Sequence, residues 1–153
     1  MEKNIGEVSR QFNIPVSTLR YYDQEGLFPD LARKGSIRKF SERDVGVLRV
    51  IECLKKSGLQ IRDIKQFMLW CKQGAQTYEK RRALFERQKQ EVSSQIEQLN
   101  LVMAMLEFKI WYYSKAIEDG SEENLKKIIP KDLPPKIKEL WSKTHKDDTQ
   151  LSK

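Results

Sequence analysis

Ser17-Thr18-Leu19-Arg20-Tyr21-Tyr22-Asp23-Gln24-Glu25-Gly26-Leu27-Phe28-Pro29 is the stretch that decides how this chain folds. Residues 16–24 read as a short helix, with Leu19 turned inward and Ser17, Thr18, Arg20 and Tyr21 free to offer hydroxyls and a guanidinium outward. Tyr22 either adds a phosphate contact or packs against the body. Gly26 is a natural helix stop, and Pro29 cannot continue one. Upstream, Asn13-Ile14-Pro15 reads as a tight turn. Before it, Asn4 and Glu7 stand three apart at a helix start, and Ile5, Val8 and Phe12 share one helical face.

Downstream the pattern changes. Lys34-Gly35-Ser36 forms a turn between two short basic strands that carry Arg33, Lys34, Arg38 and Lys39. Ser41-Glu42-Arg43-Asp44 fits a capping box and opens a third helix reaching about residue 56, where Gly58 stops it. A fourth helix over residues 60–71 carries Ile61, Ile64, Met68 and Trp70, and Gly74 closes it.

Helix, tight turn, helix and basic hairpin make the order of a winged helix-turn-helix. A major-groove helix needs exposed donors on one face and apolar anchors on the other, and residues 16–24 have both. A basic wing beside it straddles phosphates and gives affinity and register rather than sequence readout. Arg62 and Lys65 on the fourth helix are expected to add a second, weaker phosphate contact. Lys and Arg outnumber Asp and Glu by 29 to 22, for a net charge of +7. That excess suits a polyanion, either nucleic acid or an acidic membrane face. Taken singly, paired tyrosines usually pack and an exposed arginine is usually only solvated; the combination with the hairpin carries the reading.

Residues 76–117 read as one long helix. Phe85, Lys89, Val92, Ile96, Leu99, Met103, Leu106, Ile110, Tyr113 and Ile117 step by four and three in alternation, with Lys89 the polar exception. This is a coiled-coil seam, uninterrupted by Gly or Pro. Such a narrow stripe needs another helix, and the chain offers no second one of comparable length. A second copy, giving a homodimer, is the economical partner; the alternative is a long helix folded back on its own head. The expected organisation is therefore mostly α: a DNA-binding head over 1–73, a dimerisation helix over 76–117, and a short, partly disordered segment over 118–153. Within that segment, Glu122 to Ile129 suggests a brief helix, and Ile137, Leu140 and Trp141 one amphipathic turn that docks on the body. Residues 143–153 are expected to be disordered.

At this point the chain resembles a known family. Ile5-Gly6-Glu7-Val8-Ser9, Ser17 to Asp23, Glu25 to Pro29, Arg38-Lys39-Phe40, Ser41 to Asp44, and Gly58-Leu59 to Ile64 are similar to the start of MerR family regulators. The resemblance covers the whole first zone, and the helix behind it fits in kind and position. It implies a dimer joined by an antiparallel coiled coil, bound to double-stranded promoter DNA whose spacer is too long. An effector then changes how the heads bend and untwist the duplex, so that RNA polymerase finds its two elements realigned. One departure is Phe40, where the family often has Tyr: the ring remains, but a hydroxyl able to reach phosphate does not.

The signal narrows by exclusion. Thiolate metal sites and iron–sulfur clusters need several soft ligands close together, and no Cys follows Cys71; the one His, His145, lies in the tail. No metal or cofactor is expected. Val50 to Leu59 resembles the NmlR/AdhR subgroup, which responds to reactive aldehydes or thiol stress through a cysteine at the position of Cys53. Arg49, Lys55 and Lys56 lie within about one helical turn of that sulfur, and positive charge favours thiolate. Against this, a Cys between Ile51 and Leu54 is commonly an inert core residue. In that case a different small ligand is sensed. Cys71 is expected to be structural, with a role as resolving partner the alternative.

Other classes fit less well. Leu99 to Tyr113, the most apolar stretch, is broken by Asn100, Glu107 and Lys109, short of the roughly 20 apolar residues of a membrane span. No apolar leader follows Met1-Glu2, so the bacterial cytoplasm is the expected home. No paired-carboxylate motif, phosphate-binding Gly loop or Ser/His/Asp set suggests an enzyme. A rival from another class is a coiled-coil interaction protein whose basic head binds a protein or an acidic membrane surface.

Overall fold

The computed structural model describes residues 2–145. In chain order it contains β1 (Lys3–Asn4), α1 (Ile5–Phe12), α2 (Val16–Gln24), β2 (Ala32–Lys34), β3 (Ile37–Phe40), α3 (Glu42–Lys56), α4 (Ile61–Gln73), a 3-10 turn (Ala75–Thr77), α5 (Tyr78–Asp119), α6 (Glu123–Ile128) and α7 (Pro135–Thr144). Both expected capping boxes form. The Glu7 N–H donates to the Asn4 side chain at 3.0 Å and the Asn4 N–H to the Glu7 carboxylate at 2.6 Å. Ser41 and Asp44 repeat the exchange at the start of α3. Each cap is worth about 1 kcal/mol, enough to fix where a short helix begins.

Between α1 and α2 the chain reverses at Asn13, which takes the left-handed conformation (φ 53°). The Ile14 N–H donates to the Ser9 carbonyl at 3.0 Å, and the Ser9 hydroxyl donates to the Ile14 carbonyl at 2.6 Å. Ser9 thus closes the turn from both sides and sets the angle at which α2 leaves it.

The expected hairpin forms between β2 and β3, and β1 adds a third antiparallel strand, giving the order β1-β3-β2. Lys3 pairs with Phe40 and Asn4 with Lys39, while Arg33 stands opposite Arg38 and Lys34 opposite Ile37. The extra strand is two residues long. That is too short for any period-two pattern to announce it.

Contacts divide the chain into Met1–Gln90 and Glu91–Lys153. In the first unit Val8, Leu19, Tyr22, Leu27, Phe28, Phe40, Val45, Leu48, Ile51, Ile64 and Leu84 build one core. Phe40 is fully buried, edge-on to Phe28 with ring centroids 5.4 Å apart. The start of α5 belongs to this unit. Leu84 enters the core, the Phe85 ring meets Phe67 at 5.3 Å, and Gln88 Nε2 donates to the Ser57 carbonyl at 2.9 Å. Apolar side chains of α5 thus complete the core of the head.

In the second unit Ala104 and Phe108 of α5 pack with Leu133 and Leu140, flanked by Trp111, Tyr112, Ile129, Ile137 and Trp141. The expected docking turn is thus a ten-residue helix, Pro135–Thr144. The disorder expected from residue 143 onward is corrected for Lys143 and Thr144, which lie in α7. His145 caps that helix and stacks on Trp141 at 3.5 Å. Residues 146–153, the rest of that expected tail, lie outside the described residues.

On α5 every apolar seam residue from Phe85 to Ile117 is exposed, Leu99 at 63% and Ile110 at 68%. The buried positions of the same helix, Leu84, Ala104 and Phe108, lie on a different face. The foldback alternative would cover the seam, and within this chain it stays open.

Candidate nucleic-acid interface

Helix α2 is amphipathic for a local reason. Leu19 and Tyr22, three apart, are both buried, which turns Ser17, Arg20, Tyr21 and Gln24 to the outside. Their spacing of three, four and seven makes one exposed row, with Thr18 half-buried at its edge. Gln24 was missed in the sequence reading, although its place seven residues after Ser17 signals the same row.

Tyr22 does not join that row. It is only 1% exposed, and its hydroxyl donates to Glu52 at 2.9 Å and accepts from Lys55 Nζ at 2.7 Å. The ammonium also lies 5.2 Å from the ring centroid. Of the two roles open to Tyr22, packing against the body is the one the structure gives it, because turning outward would empty the core beside Leu19. Burial raises its pKa above the usual 10.0, with the Lys55 bond acting against that shift. The bond to the Tyr22 hydroxyl raises the Lys55 pKa in turn.

Of the four basic wing residues, two are committed elsewhere. Arg38 Nε donates to Asp23 Oδ2 at 2.7 Å, and Arg33 donates to the same oxygen at 2.8 Å. The Asp23 side chain is 8% exposed and that of Arg38 20%, so Arg38 is largely turned into the protein and held by Asp23. Arg33 is 55% exposed and reaches both solvent and Asp23. Lys34 faces Glu2 at 3.5 Å with both side chains largely in solvent. Such a pair is worth about 0–1 kcal/mol and yields readily to a phosphate. Lys39 sits half-buried on β3. Asp23 was missed in the sequence reading, since its partners lie 10 and 15 residues away and nothing local marks them.

Helix α4 adds two cations of different standing. A Cβ built on Gly26 would meet Lys65 Nζ at 3.7 Å, so Lys65 reaches the end of α2. Arg62 stands in solvent, 3.8 Å from Asp63, which also faces Arg87.

Cys53 is exposed although Ile51 and Leu54 on either side are buried, so the core alternative for this thiol is corrected. Its neighbours on α3, Glu52 and Lys55, are the two that hold Tyr22. The Lys55 ammonium, expected to favour thiolate, is bound to the Tyr22 hydroxyl instead. Cys71 is also a free, exposed thiol, and its Sγ accepts from Arg81 at 3.7 Å. Among the described residues no group of three or more His, Cys, Asp and Glu side chains is placed to hold a metal ion, and no helix is long and apolar enough to cross a membrane.

The chain is similar to known proteins over most of its length. Residues 3–69 match the profile of MerR HTH family regulatory proteins, and residues 45–107 that described as MerR, DNA binding. An HTH-type transcriptional regulator of Haemophilus influenzae is 36% identical over 122 residues, spanning 79% of this chain and 90% of its own. The regulator AdhR of Bacillus subtilis is 34% identical over 88 residues, 57% of this chain and 63% of its own. Among solved structures, HiNmlR, a MerR family regulator lacking the sensor domain and bound to promoter DNA, superposes with a TM-score of 0.62 at 35% identity. That match covers 81% of this chain and 99% of the other.

Proposed function

Because the chain belongs to the MerR family of helix-turn-helix regulatory proteins, we propose that it is a promoter regulator that works as a homodimer and reports chemical stress through Cys53. It is a DNA-binding transcriptional regulator, not an enzyme. The observation that carries the proposal is the exposed row Ser17, Arg20, Tyr21 and Gln24 on α2, beside a basic wing tied to the same helix. Arg20 and Tyr21 read base edges or phosphates in the major groove, with Ser17 and Thr18 at the entry of the helix. Lys34 and Lys39 of the wing neutralise flanking phosphates, and Lys65 and Arg62 extend that contact from α4.

The exposed seam of α5 supports pairing of two copies. Antiparallel pairing sets two heads apart on the duplex, and the spacing of half-sites follows from the length of the helix. Bending or untwisting the intervening DNA costs several kcal/mol, which a change of head geometry can supply or withhold. In this way the dimer brings the polymerase elements of an overlong spacer into register, in the bacterial cytoplasm.

Cys53 is the proposed sensor of reactive aldehydes or thiol stress. Its exposure supports the proposal, as does its place on α3 beside Glu52 and Lys55, which anchor Tyr22 of the recognition helix. A covalent adduct there forms on the exposed side of α3, turned away from the side Lys55 presents to Tyr22, and acts on α2 through α3 itself. The test is binding to the palindromic fragment upstream of the protein's own gene. Retention over competitor DNA, falling steeply with salt, is expected; no preference for that fragment would sink the regulator reading in favour of a basic-headed interaction protein.

A further inference from the structure

Resting on the DNA-binding reading, we infer that Asp23 is an internal stand-in for phosphate: it occupies the two wing arginines in the free protein and so suppresses binding to random sequence.

The sheet itself creates the need. Arg33 and Arg38 stand directly opposite each other across β2 and β3. Like charges in that position repel. Two guanidinium groups aimed together are also what a phosphate oxygen attracts. In this protein the oxygen that sits between them is Asp23 Oδ2, accepting at 2.8 Å from Arg33 and 2.7 Å from Arg38. The carboxylate comes from α2, the helix whose outer row faces the groove, and its side chain is only 8% exposed. One carboxylate therefore does two things. It ties the wing to the recognition helix, and it engages both guanidinium groups while cancelling one of their two positive charges before any duplex is met.

The consequence concerns specificity. Phosphate contacts add affinity for every sequence equally, whereas base contacts on α2 discriminate. A wing with four free cations, no longer tied to α2, would gain phosphate contacts on every sequence but lose positioning on the specific one alone, and so leave the ratio poorer. With Asp23 in place, Lys34 and Lys39 supply the wing's phosphate contacts, and the arginines fix its geometry. Asp23 is thus a positioning residue for readout.

The experiment measures binding of the full-length protein to its own upstream fragment and to a random duplex of equal length across a salt series. For Asp23→Asn, the slope of log affinity against log salt on random duplex is expected to steepen by about 1 to 2, one for each phosphate newly neutralised. The ratio of specific to random affinity is expected to fall roughly tenfold, since both gain phosphate contacts while base readout alone loses the wing's hold on α2. Asp23→Glu, which keeps the charge, is expected to retain the shallower slope. A slope on random duplex that is unchanged or shallower in Asp23→Asn would overturn the inference, as would a loss of affinity shared equally by both variants. If Asp23→Asn does not fold, the unaltered protein decides: the Arg38 Nε–H resonance is expected to stay slow to exchange through a titration with random duplex. Its shift on the first additions would show the guanidinium moving to phosphate and would overturn the inference. Absence of any salt-dependent duplex binding by the unaltered protein is a different result, and it would remove the DNA-binding reading itself.

Discussion

Lys55 of α3 donates a 2.7 Å hydrogen bond to the hydroxyl of Tyr22 on α2, and that hydroxyl passes its own proton toward Glu52. Both groups hold their protons more tightly in the folded protein than in a free chain: Tyr22 chiefly through burial, Lys55 through this bond. Folded pKa values raised in this way add stability that is full below the ordinary values of 10.0 and 10.5 and is lost as pH rises through the folded ones. Thermal melts are expected to fall more steeply above pH 10 for the unaltered protein than for Tyr22→Phe. At neutral pH, Tyr22→Phe is expected to cost about 1 kcal/mol, the net worth of a hydrogen bond with the ring left in place.

The joint between α3 and α5 depends on one glycine. Gly58 has φ +89°, and a Cβ there would come within 2.8 Å of Gln88 Nε2, the group bound to the Ser57 carbonyl. Gly58→Ala is expected to destabilise the head by about 1–2 kcal/mol through backbone strain and the displaced side chain. Gln88→Ala should cost less, since it removes the bond without straining the turn. Denaturant melts of the two variants, compared at equal slope, test the order.

The seam predicts assembly. Leu99→Asp, at a position 63% exposed in the single chain, is expected to leave the helical circular dichroism of the head intact and to shift sedimentation from dimer to monomer. A variant that sediments like the unaltered protein would mean that the helix pairs elsewhere or not at all.

Arg20 and Lys34 should separate readout from affinity. Arg20→Ala is expected to weaken specific binding by about 1–3 kcal/mol and to relax discrimination, and Lys34→Ala to lower the salt slope by about 1 on every sequence. Titrations on cognate and scrambled fragments at several salt concentrations distinguish the two patterns.

Cys53→Ser is expected to bind the promoter fragment like the unaltered protein and to lose induction by formaldehyde or methylglyoxal in a reporter strain. Normal induction would move the sensor elsewhere and leave Cys53 as a bystander on α3.

Much of this was legible in the chain because it is local. The Asn4–Glu7 and Ser41–Asp44 boxes, the Gly stops and the seam of α5 each declare themselves within a few residues, and the family resemblance extended them. What escaped was non-local. Asp23 meets Arg33 and Arg38 only because the wing folds back on α2, and Tyr22 meets Glu52 and Lys55 across some thirty positions of sequence. Leu84 joins the head for the same kind of reason, since no local break marks the point where α5 stops serving the core. The recognition row was visible, but which of its tyrosines faced outward depended on a core that periodicity over nine residues could not fully orient.

The two-faced nature of α5 carries a quantitative corollary for the cell. One face is satisfied within the chain and the other is left bare, so on the proposed pairing the active form is reached by mass action. At low copy number its population grows as the square of expression. Gene dosage would then act as a second input beside the chemical signal, and a modest rise in synthesis would sharpen the threshold at which the promoter switches.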